Sequence, residues 1–206
     1  MKKLLLLVSL TLTLAAWSAE LVVGPGTAYQ TIGEGLKALK PGDTLTIMPG
    51  QYYEALEVSG FKDNLIRAQF PGSVLIHGDK PAPKFSLLPG YRFVYVADWT
   101  ENVNALNEFD TLKIYLPRAT VKELEFKFAG WHLDGGKLYI STSDGQAPEA
   151  HRLTVSVLEG NGLRLSAVEN VRIEGLVARG FYSHSKRATW SGVNGIQLQQ
   201  PVNCRI

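Results

Sequence analysis

The stretch Pro41-Gly-Asp-Thr-Leu-Thr-Ile-Met-Pro-Gly-Gln-Tyr-Tyr-Glu54 contains one short strand pattern between two Pro-Gly turns. Leu45 and Ile47 are two residues apart, so in an extended segment both side chains point to one face and the threonines point to the other. Proline restricts φ and glycine tolerates positive φ, which predicts a sharp turn at each end. The stretch therefore predicts a short, half-buried strand.

Similar short apolar segments recur at nearly even spacing after it, at 45–47, 56–58, 65–68 and 74–76, with a glycine or proline in or beside the turns between them. Even spacing of short strands is typical of sandwiches and barrels as well as of stacked coils. The local pattern thus predicts an all-β fold and leaves these architectures open.

A repeat later in the chain favours stacked coils. Residues 161–165 recur at 194–198, and residues 170–173 recur at 203–206, both at an offset of 33 residues. Matching strands one full turn apart allow each apolar side chain to rest on its counterpart, so Leu163 is expected over Ile196.

A capping box, Thr31-Ile-Gly-Glu34, begins a short amphipathic pattern that predicts a helix over 32–39. Glycines weaken this helix, so it is expected to persist by docking its apolar face. An exposed first coil would leave apolar core and strand edges uncovered, which makes an N-terminal cap the natural role for it.

These segments together resemble the opening of secreted right-handed parallel β-helix proteins, the pectin-lyase-like group. The resemblance is carried by Gly26–Ile32, Pro41–Glu54, Ile66–Gly72 and Gly130–Ile140. It implies an all-β, right-handed parallel β-helix with a short N-terminal capping helix. Residues from about 84 to 146 lack constant spacing and are interpreted as an irregular β insertion that rejoins the stack near 152–157, with a separate small domain as the alternative.

The last residue, Ile206, aligns with Ile173, which lies inside a strand pattern. A solenoid needs a polar terminal cap, and the pattern ends here without one. We therefore expect residues 20–206 to be the N-terminal part of a parallel β-helix domain, uncapped at its C-terminal end, with further β-helix coils following Ile206.

Residues 1–19 have the features of a signal peptide: Lys2 and Lys3, an apolar run, and small residues near Ala19. The run is too short to span a bilayer, so we expect a secreted or periplasmic bacterial protein with no membrane association after signal removal. Without the two lysines the chain has 19 basic and 19 acidic residues, which argues against a nucleic-acid partner. Cys204 is the single cysteine, so no intramolecular disulfide can form.

The candidate substrate-binding segment lies inside the second copy of the repeat. Aromatic rings beside hydrogen-bond donors suit a sugar, whose C–H face stacks on rings while its polar groups take hydrogen bonds. The alternative is a solvated loop without a binding role. The predicted polysaccharide-binding residues are Tyr182, His184, Lys186, Arg187 and Trp190.

The resemblance implies a polysaccharide lyase or glycoside hydrolase. Related lyases use Lys or Arg as the base, for which Arg179, Lys186 and Arg187 are the candidates in this sequence. Calcium, held by acidic residues in such enzymes, is an expectation for the full-length protein only, because no Asp occurs from His151 to Ile206. Catalytic residues are therefore not assigned. A non-catalytic carbohydrate-binding module and a surface or adhesin-like structural module remain the alternatives.

The four histidines show no metal-ligand spacing, so no metal site is predicted. Other polar residues are interpreted as structural. Asp43 is expected to serve a turn, and Asn170 and Asn203 are expected to recur at one turn position and hydrogen-bond along the stack. Structural roles are also assigned to Tyr52, Tyr53, Glu54 and Cys204.

Overall fold

The computed structural model describes residues 18–182 and 195–206, and within them the fold is mostly β, as predicted. Six strands precede a large excursion of the chain. They are β1 Glu20–Val23, β2 Thr44–Ile47, β3 Gly50–Tyr52, β4 Leu56–Ser59, β5 Leu65–Ala68 and β6 Val74–His77.

The excursion itself contributes eight strands. They are β7 Asp79–Pro81, β8 Ser86–Leu87, β9 Tyr95–Asp98, β10 Ala105–Glu108, β11 Lys113–Pro117, β12 Gly130–Asp134, β13 Lys137–Ser141 and β14 Leu153–Ser156. Four more strands follow it, namely β15 Leu163–Glu169, β16 Arg172–Glu174, β17 Leu176–Arg179 and β18 Ile196–Val202.

The strands before and after the excursion form three parallel sheets. Their strand orders are β1-β2-β5-β16, β3-β6-β17 and β4-β15-β18. Successive passes of the chain thus add one strand to each sheet in turn. The strands predicted at 45–47, 56–58, 65–68 and 74–76 are all present as β2, β4, β5 and β6.

Apolar side chains at equivalent positions align from strand to strand. Leu163 lies in register with Leu56 on one side and with Ile196 on the other, so the predicted parallel alignment of Leu163 and Ile196 is confirmed. In another sheet, Leu45 and Ile66 align and are both fully buried. Each such side chain contributes about 1.5–3 kcal/mol by leaving water.

Helix α1, Ile32–Ala38, begins at the predicted capping box, with Glu34 N donating to Thr31 Oγ1 over 3.2 Å. The helix packs against β1 and β2. Gly35 permits this approach, because a Cβ there would lie 2.4 Å from Val23 Cγ2. The helix therefore docks as the sequence predicted, and its glycine is a packing requirement.

The excursion forms a second, mixed sheet of order β7-β14-β10-β11-β12-β13-β9-β8 with its own apolar core. All of its pairs are antiparallel except β11 with β12. Short helical segments, α2 Val121–Leu124 and a 3-10 helix at Pro148–Ala150, lie between its strands. The sheet extends over Asp79–Ser156 and is more regular than the sequence indicated.

One strand assignment from the sequence is wrong. Residues 152–157 were expected to rejoin the parallel stack, but β14 pairs antiparallel with β10 and β7 inside the second sheet. Alternation in Leu153–Ser156 marks a strand with one buried face and does not specify which sheet it joins. The chain returns to the parallel sheets at β15.

No helix among residues 18–182 and 195–206 has the length and apolar character needed to cross a bilayer.

Candidate functional site

In each of three successive passes, the chain leaves the stack after a strand of the β3-β6-β17 sheet. It returns at a strand of the β4-β15-β18 sheet. The departures follow β3, β6 and β17, and the returns are at β4, β15 and β18. The first is a short link, the second contains the whole mixed sheet, and the third contains the predicted substrate-binding segment. We call the surface formed here by Tyr53, His77, Asp79, Lys80 and Arg179 the corner.

Strand register brings the corner together. His77 is the last residue of β6 and pairs with Arg179, the last residue of β17, so both side chains leave the same outer edge. The Tyr53 ring lies 5.6 Å from the His77 ring, centroid to centroid, at a tilt of 56°. Lys80 Nζ lies 5.2 Å from the centroid of the same tyrosine ring. An exposed aromatic ring is thus flanked by an imidazole and an ammonium group.

Asp79 lies beneath these groups, with 2% of its side chain exposed. His77 Nδ1 is 3.3 Å and Arg179 Nε is 3.8 Å from its Oδ1 atom. These are ion-pair distances, but neither carboxylate oxygen receives an aligned hydrogen bond from the described residues. A buried carboxylate is costly without compensation; Arg179 places a positive charge beside it, and the His77 ring places a polar group there.

Two glycines make room for this arrangement. A Cβ at Gly180 would lie 2.5 Å from Asp79 Cγ, and a Cβ at Gly78 would lie 2.7 Å from Phe181 Cδ1. Gly180 also has φ +72°, a conformation that side chains disfavour. The Gly180 backbone therefore lies close against the Asp79 carboxylate, and Gly78 lies close against the Phe181 ring.

The mixed sheet and its loops add charge beside the corner. The guanidinium groups of Arg152 and Arg179 lie 5.0 and 5.4 Å from the centroid of the Phe109 ring. Lys80 Nζ donates to Glu101 over 2.6 Å, and this hydrogen bond raises the pKa of Lys80. The exposed cations and the Tyr53 ring are groups that stack on and hydrogen-bond to sugars.

The structure locates part of the predicted site. Tyr182 is partly buried and lies three residues after Arg179, at the edge of the corner. The other predicted substrate-binding residues, His184, Lys186, Arg187 and Trp190, lie outside the described residues. Arg179, a predicted base candidate, is in the corner itself.

Sequence reasoning missed Tyr53, His77 and Asp79 as site residues. Tyr53 was interpreted as structural and His77 as an isolated histidine. The only signal was positional, because both residues stand at the end of a strand pattern where an excursion begins. The repeat offset did not include residues before 161, so the pairing of His77 with Arg179 on adjacent strands was not visible.

A second polar cluster lies in the mixed sheet. One ligand-type atom from each of Glu108, Asp110 and His151 lies within 4.8 Å of the others. His151 Nδ1 is 2.9 Å from Asp110 Oδ2, and its Nε2 is 3.1 Å from Asp144 Oδ1. No ligand spacing along the sequence indicated this cluster, since its members come from different strands and loops.

Protein donors already occupy the cluster's two central carboxylates. Glu108 accepts hydrogen bonds from Thr111 and Tyr115 hydroxyls and from the Ser143 hydroxyl at 2.7 Å. Asp110 accepts from Arg152 N at 3.0 Å and from the His151 ring. Because the carboxylate oxygens of Glu108 and Asp110 already accept hydrogen bonds from protein groups, we interpret the cluster as a structural network. It connects β10 to the loop that carries His151.

Burial opposes the ionised form of Glu108, but the hydrogen bonds from Thr111, Tyr115 and Ser143 outweigh it and lower the pKa of Glu108. Burial and the neighbouring Glu108 raise the pKa of Tyr115.

Burial also opposes the charged form of the His151 ring. Hydrogen bonds to Asp110 and Asp144, together with the charge of Glu108, outweigh it and raise the pKa of His151. The cluster is therefore an ion network with a charged centre.

None of the protein-family models compared with the chain matches it, and no curated protein does. A similar solved structure is described as the complex of XylC with xylose. The alignment has a TM-score of 0.49 and 15% identity, and it covers 77% of this chain. The chain spans 36% of the length of that protein.

Proposed function

We propose that this chain belongs to an exported bacterial protein with a right-handed parallel β-helix, and that it engages polysaccharide through the corner. The observation that carries the proposal is the register of His77 with Arg179, which gathers an exposed tyrosine ring, an imidazole and cations where the predicted substrate-binding segment departs. Export is supported by the signal-peptide pattern of residues 1–19.

The winding is supported by the three parallel sheets, each of which gains a strand from successive passes of the chain. In such a stack the interior is filled by apolar side chains, so a site is expected on the outer surface or in overhanging loops. The corner meets this expectation. Fold alone does not dictate function, and the proposal of a carbohydrate rests on the chemistry of the exposed groups.

The corner suits a sugar for two reasons. Tyr53, 37% exposed as a residue, offers a ring face on which sugar C–H groups stack. Lys80, Arg152 and Arg179 donate hydrogen bonds and provide positive charge for carboxylates on acidic polysaccharides.

Binding is tested with a panel of neutral and acidic polysaccharides and the purified chain. We expect Tyr53→Ala and Arg179→Ala each to weaken binding about fivefold or more, which corresponds to about 1 kcal/mol. The matched controls are Tyr139→Ala and Arg92→Ala, since Tyr139 also lies beside a histidine ring and Arg92 also lies over a phenylalanine ring. Equal losses in the controls, or no binding by the wild-type chain, would remove the proposal.

Two outcomes separate catalysis from binding alone. A lyase releases products with unsaturated ends, which absorb ultraviolet light, and a hydrolase releases new reducing ends. Binding without either product favours a non-catalytic carbohydrate-binding module, whereas an adhesin-like structural module binds no glycan. Trp190→Ala and Arg187→Ala test the predicted substrate-binding segment in the same assays, and each is expected to abolish binding.

A further inference from the structure

The two ring nitrogens of His77 have different surroundings. Nδ1 lies 3.0 Å from the backbone oxygen of Asp79 and 3.3 Å from its carboxylate Oδ1. Both neighbours are acceptors only, so Nδ1 carries the proton in either charge state of the ring. Among the described residues Nε2 has no hydrogen-bond partner. In the neutral ring Nε2 is an acceptor, and none of the described residues donates to it.

The backbone oxygen of Asp79 fixes this orientation by pairing with Nδ1, and the Asp79 carboxylate adds negative charge on the same side of the ring. The Asp79 side chain is buried, and the Gly180 backbone passes close to it, since a Cβ at Gly180 would lie 2.5 Å from Asp79 Cγ. The hydrogen bond made by one ring nitrogen of an imidazole sets which nitrogen carries the proton. Asp79 acts through His77 and Arg179 and is a positioning residue.

Among the described side chains of the corner, the cations beside the tyrosine ring are donors only. Lys80 and Arg179 can only donate, and the carboxylate of Glu101 is engaged by Lys80. A sugar hydroxyl both donates and accepts, so a ring stacked on Tyr53 needs an acceptor as well as donors. His77 lies 5.6 Å from that ring, with 17% of its side chain exposed, and can supply one.

We propose that neutral His77 accepts a hydrogen bond at Nε2 from a carbohydrate hydroxyl bound at the corner, with the backbone oxygen of Asp79 holding the imidazole in the required tautomer. The inference rests on the proposed function and adds the group that the sugar contacts. Its ligand class is a hydroxyl-bearing sugar, and the contact needs no charge on the sugar.

The tautomer is tested first, in the ligand-free protein, by nitrogen-15 NMR of the histidine rings in alkaline buffer, where the rings are neutral. We expect the resonance of a protonated Nδ1 and an unprotonated Nε2 in the wild-type chain. In Asp79→Asn we expect the same tautomer, because the backbone oxygen that accepts from Nδ1 remains. A protonated Nε2 in the neutral wild-type ring would overturn the inference.

Binding is then measured by calorimetry with a xylo-oligosaccharide and an oligogalacturonate. His77→Phe keeps an aromatic ring beside Tyr53 and removes the acceptor, and we expect affinity to fall about three- to tenfold, the size of one hydrogen bond. Asp79→Asn is expected to reduce affinity by a smaller factor. The control is His132→Phe, because His132 also lies beside a tyrosine and has Nδ1 2.9 Å from a backbone oxygen.

The outcomes are distinguishable. Unchanged affinity in a folded His77→Phe variant overturns this inference and leaves the proposed function intact. If the wild-type chain binds neither oligosaccharide, this inference and the proposed function are both refuted. A loss confined to the oligogalacturonate also overturns the inference, since the proposed contact is to a hydroxyl present in both probes. Thermal melts of each variant show whether a loss reflects unfolding.

Discussion

Asn170 and Asp63 occupy the same left-handed turn in neighbouring passes of the chain, and Asn170 Nδ2 donates to Asp63 Oδ1 over 2.7 Å. Their φ angles are +54° and +58°, and Asn203 repeats the conformation at +52°. Asparagine and aspartate tolerate this region better than most residues. The turn position predicted for Asn170 and Asn203 is thus confirmed, and Asp63 extends it by one pass.

We expect Asn170→Ala to lower the free energy of unfolding by about 1–2 kcal/mol, because alanine disfavours positive φ and cannot reach Asp63. Asn170→Gly is the comparison, since glycine accepts the backbone angle and loses only the hydrogen bond. Chemical denaturation measures both. Equal costs for the two variants would contradict the role of the backbone conformation.

Leu163→Ala removes a fully buried side chain between Leu56 and Ile196. We expect a loss of about 2–5 kcal/mol in the free energy of unfolding, from lost transfer energy and the cavity that remains. Leu116→Ala on the exposed face of β11 is the matched control and should change stability by no more than about 0.5 kcal/mol. A similar effect from both substitutions would argue against the aligned core.

Glu54 satisfies the first amides of helix α1 from outside the helix. Its carboxylate accepts from Ile32 N at 2.8 Å and from Gly33 N at 2.9 Å. Glu54→Ala should cost about 0.5–2 kcal/mol, the range of a lost N-terminal cap, and should speed hydrogen exchange at those two amides. Exchange rates unchanged from the wild type would show that other groups cap the helix.

The Glu108, Asp110 and His151 network predicts a pH-dependent stability. The pKa of His151 is raised above 6.5, so its contribution is complete below 6.5 and is lost as pH rises through the folded value. The pKa of Asp110 is lowered from 3.8, mainly by its hydrogen bond to His151, and that of Glu108 is lowered from 4.5. Their contributions are complete above those values and are lost as pH falls through the folded ones.

Stability from the network should therefore be greatest between pH 4.5 and 6.5. We expect the difference in melting temperature between the wild type and His151→Gln to be largest in that window and smaller near about pH 8. His132→Gln controls for general effects of losing a histidine. A difference that stays constant across the pH range would refute the network's role.

Gly180→Ala tests the close approach of backbone to Asp79. The new Cβ would meet the Asp79 carboxylate, so we expect the free energy of unfolding to fall by several kcal/mol. A side chain at a left-handed backbone position alone costs about 1–2 kcal/mol. Gly160→Ala is the matched control, with φ +94° and nothing within 4 Å of the added Cβ. Equal melting temperatures for the two variants would show that the carboxylate moves freely.

Sequence patterns predicted the elements that depend on neighbouring residues only. Period-two alternation gave β2, and a capping box gave the start of α1 at Thr31. The corner was not predictable in this way, because His77 and Arg179 meet only through a strand register that spans about a hundred residues of sequence. The same holds for the cluster around Glu108, whose members meet through antiparallel pairing and loops of the mixed sheet.

The entry and exit of the mixed sheet lie side by side, because Asp79 on β7 is paired with Ser156 on β14. Opposed residues in such a pair are only about 5 Å apart, a gap that a tight turn closes. The mixed sheet is thus attached to the parallel sheets through two adjacent strands, β7 and β14. An insertion whose two ends are adjacent can be exchanged, shortened or lengthened without changing the path of the parallel strands. This edge is therefore a place where new binding specificities can arise.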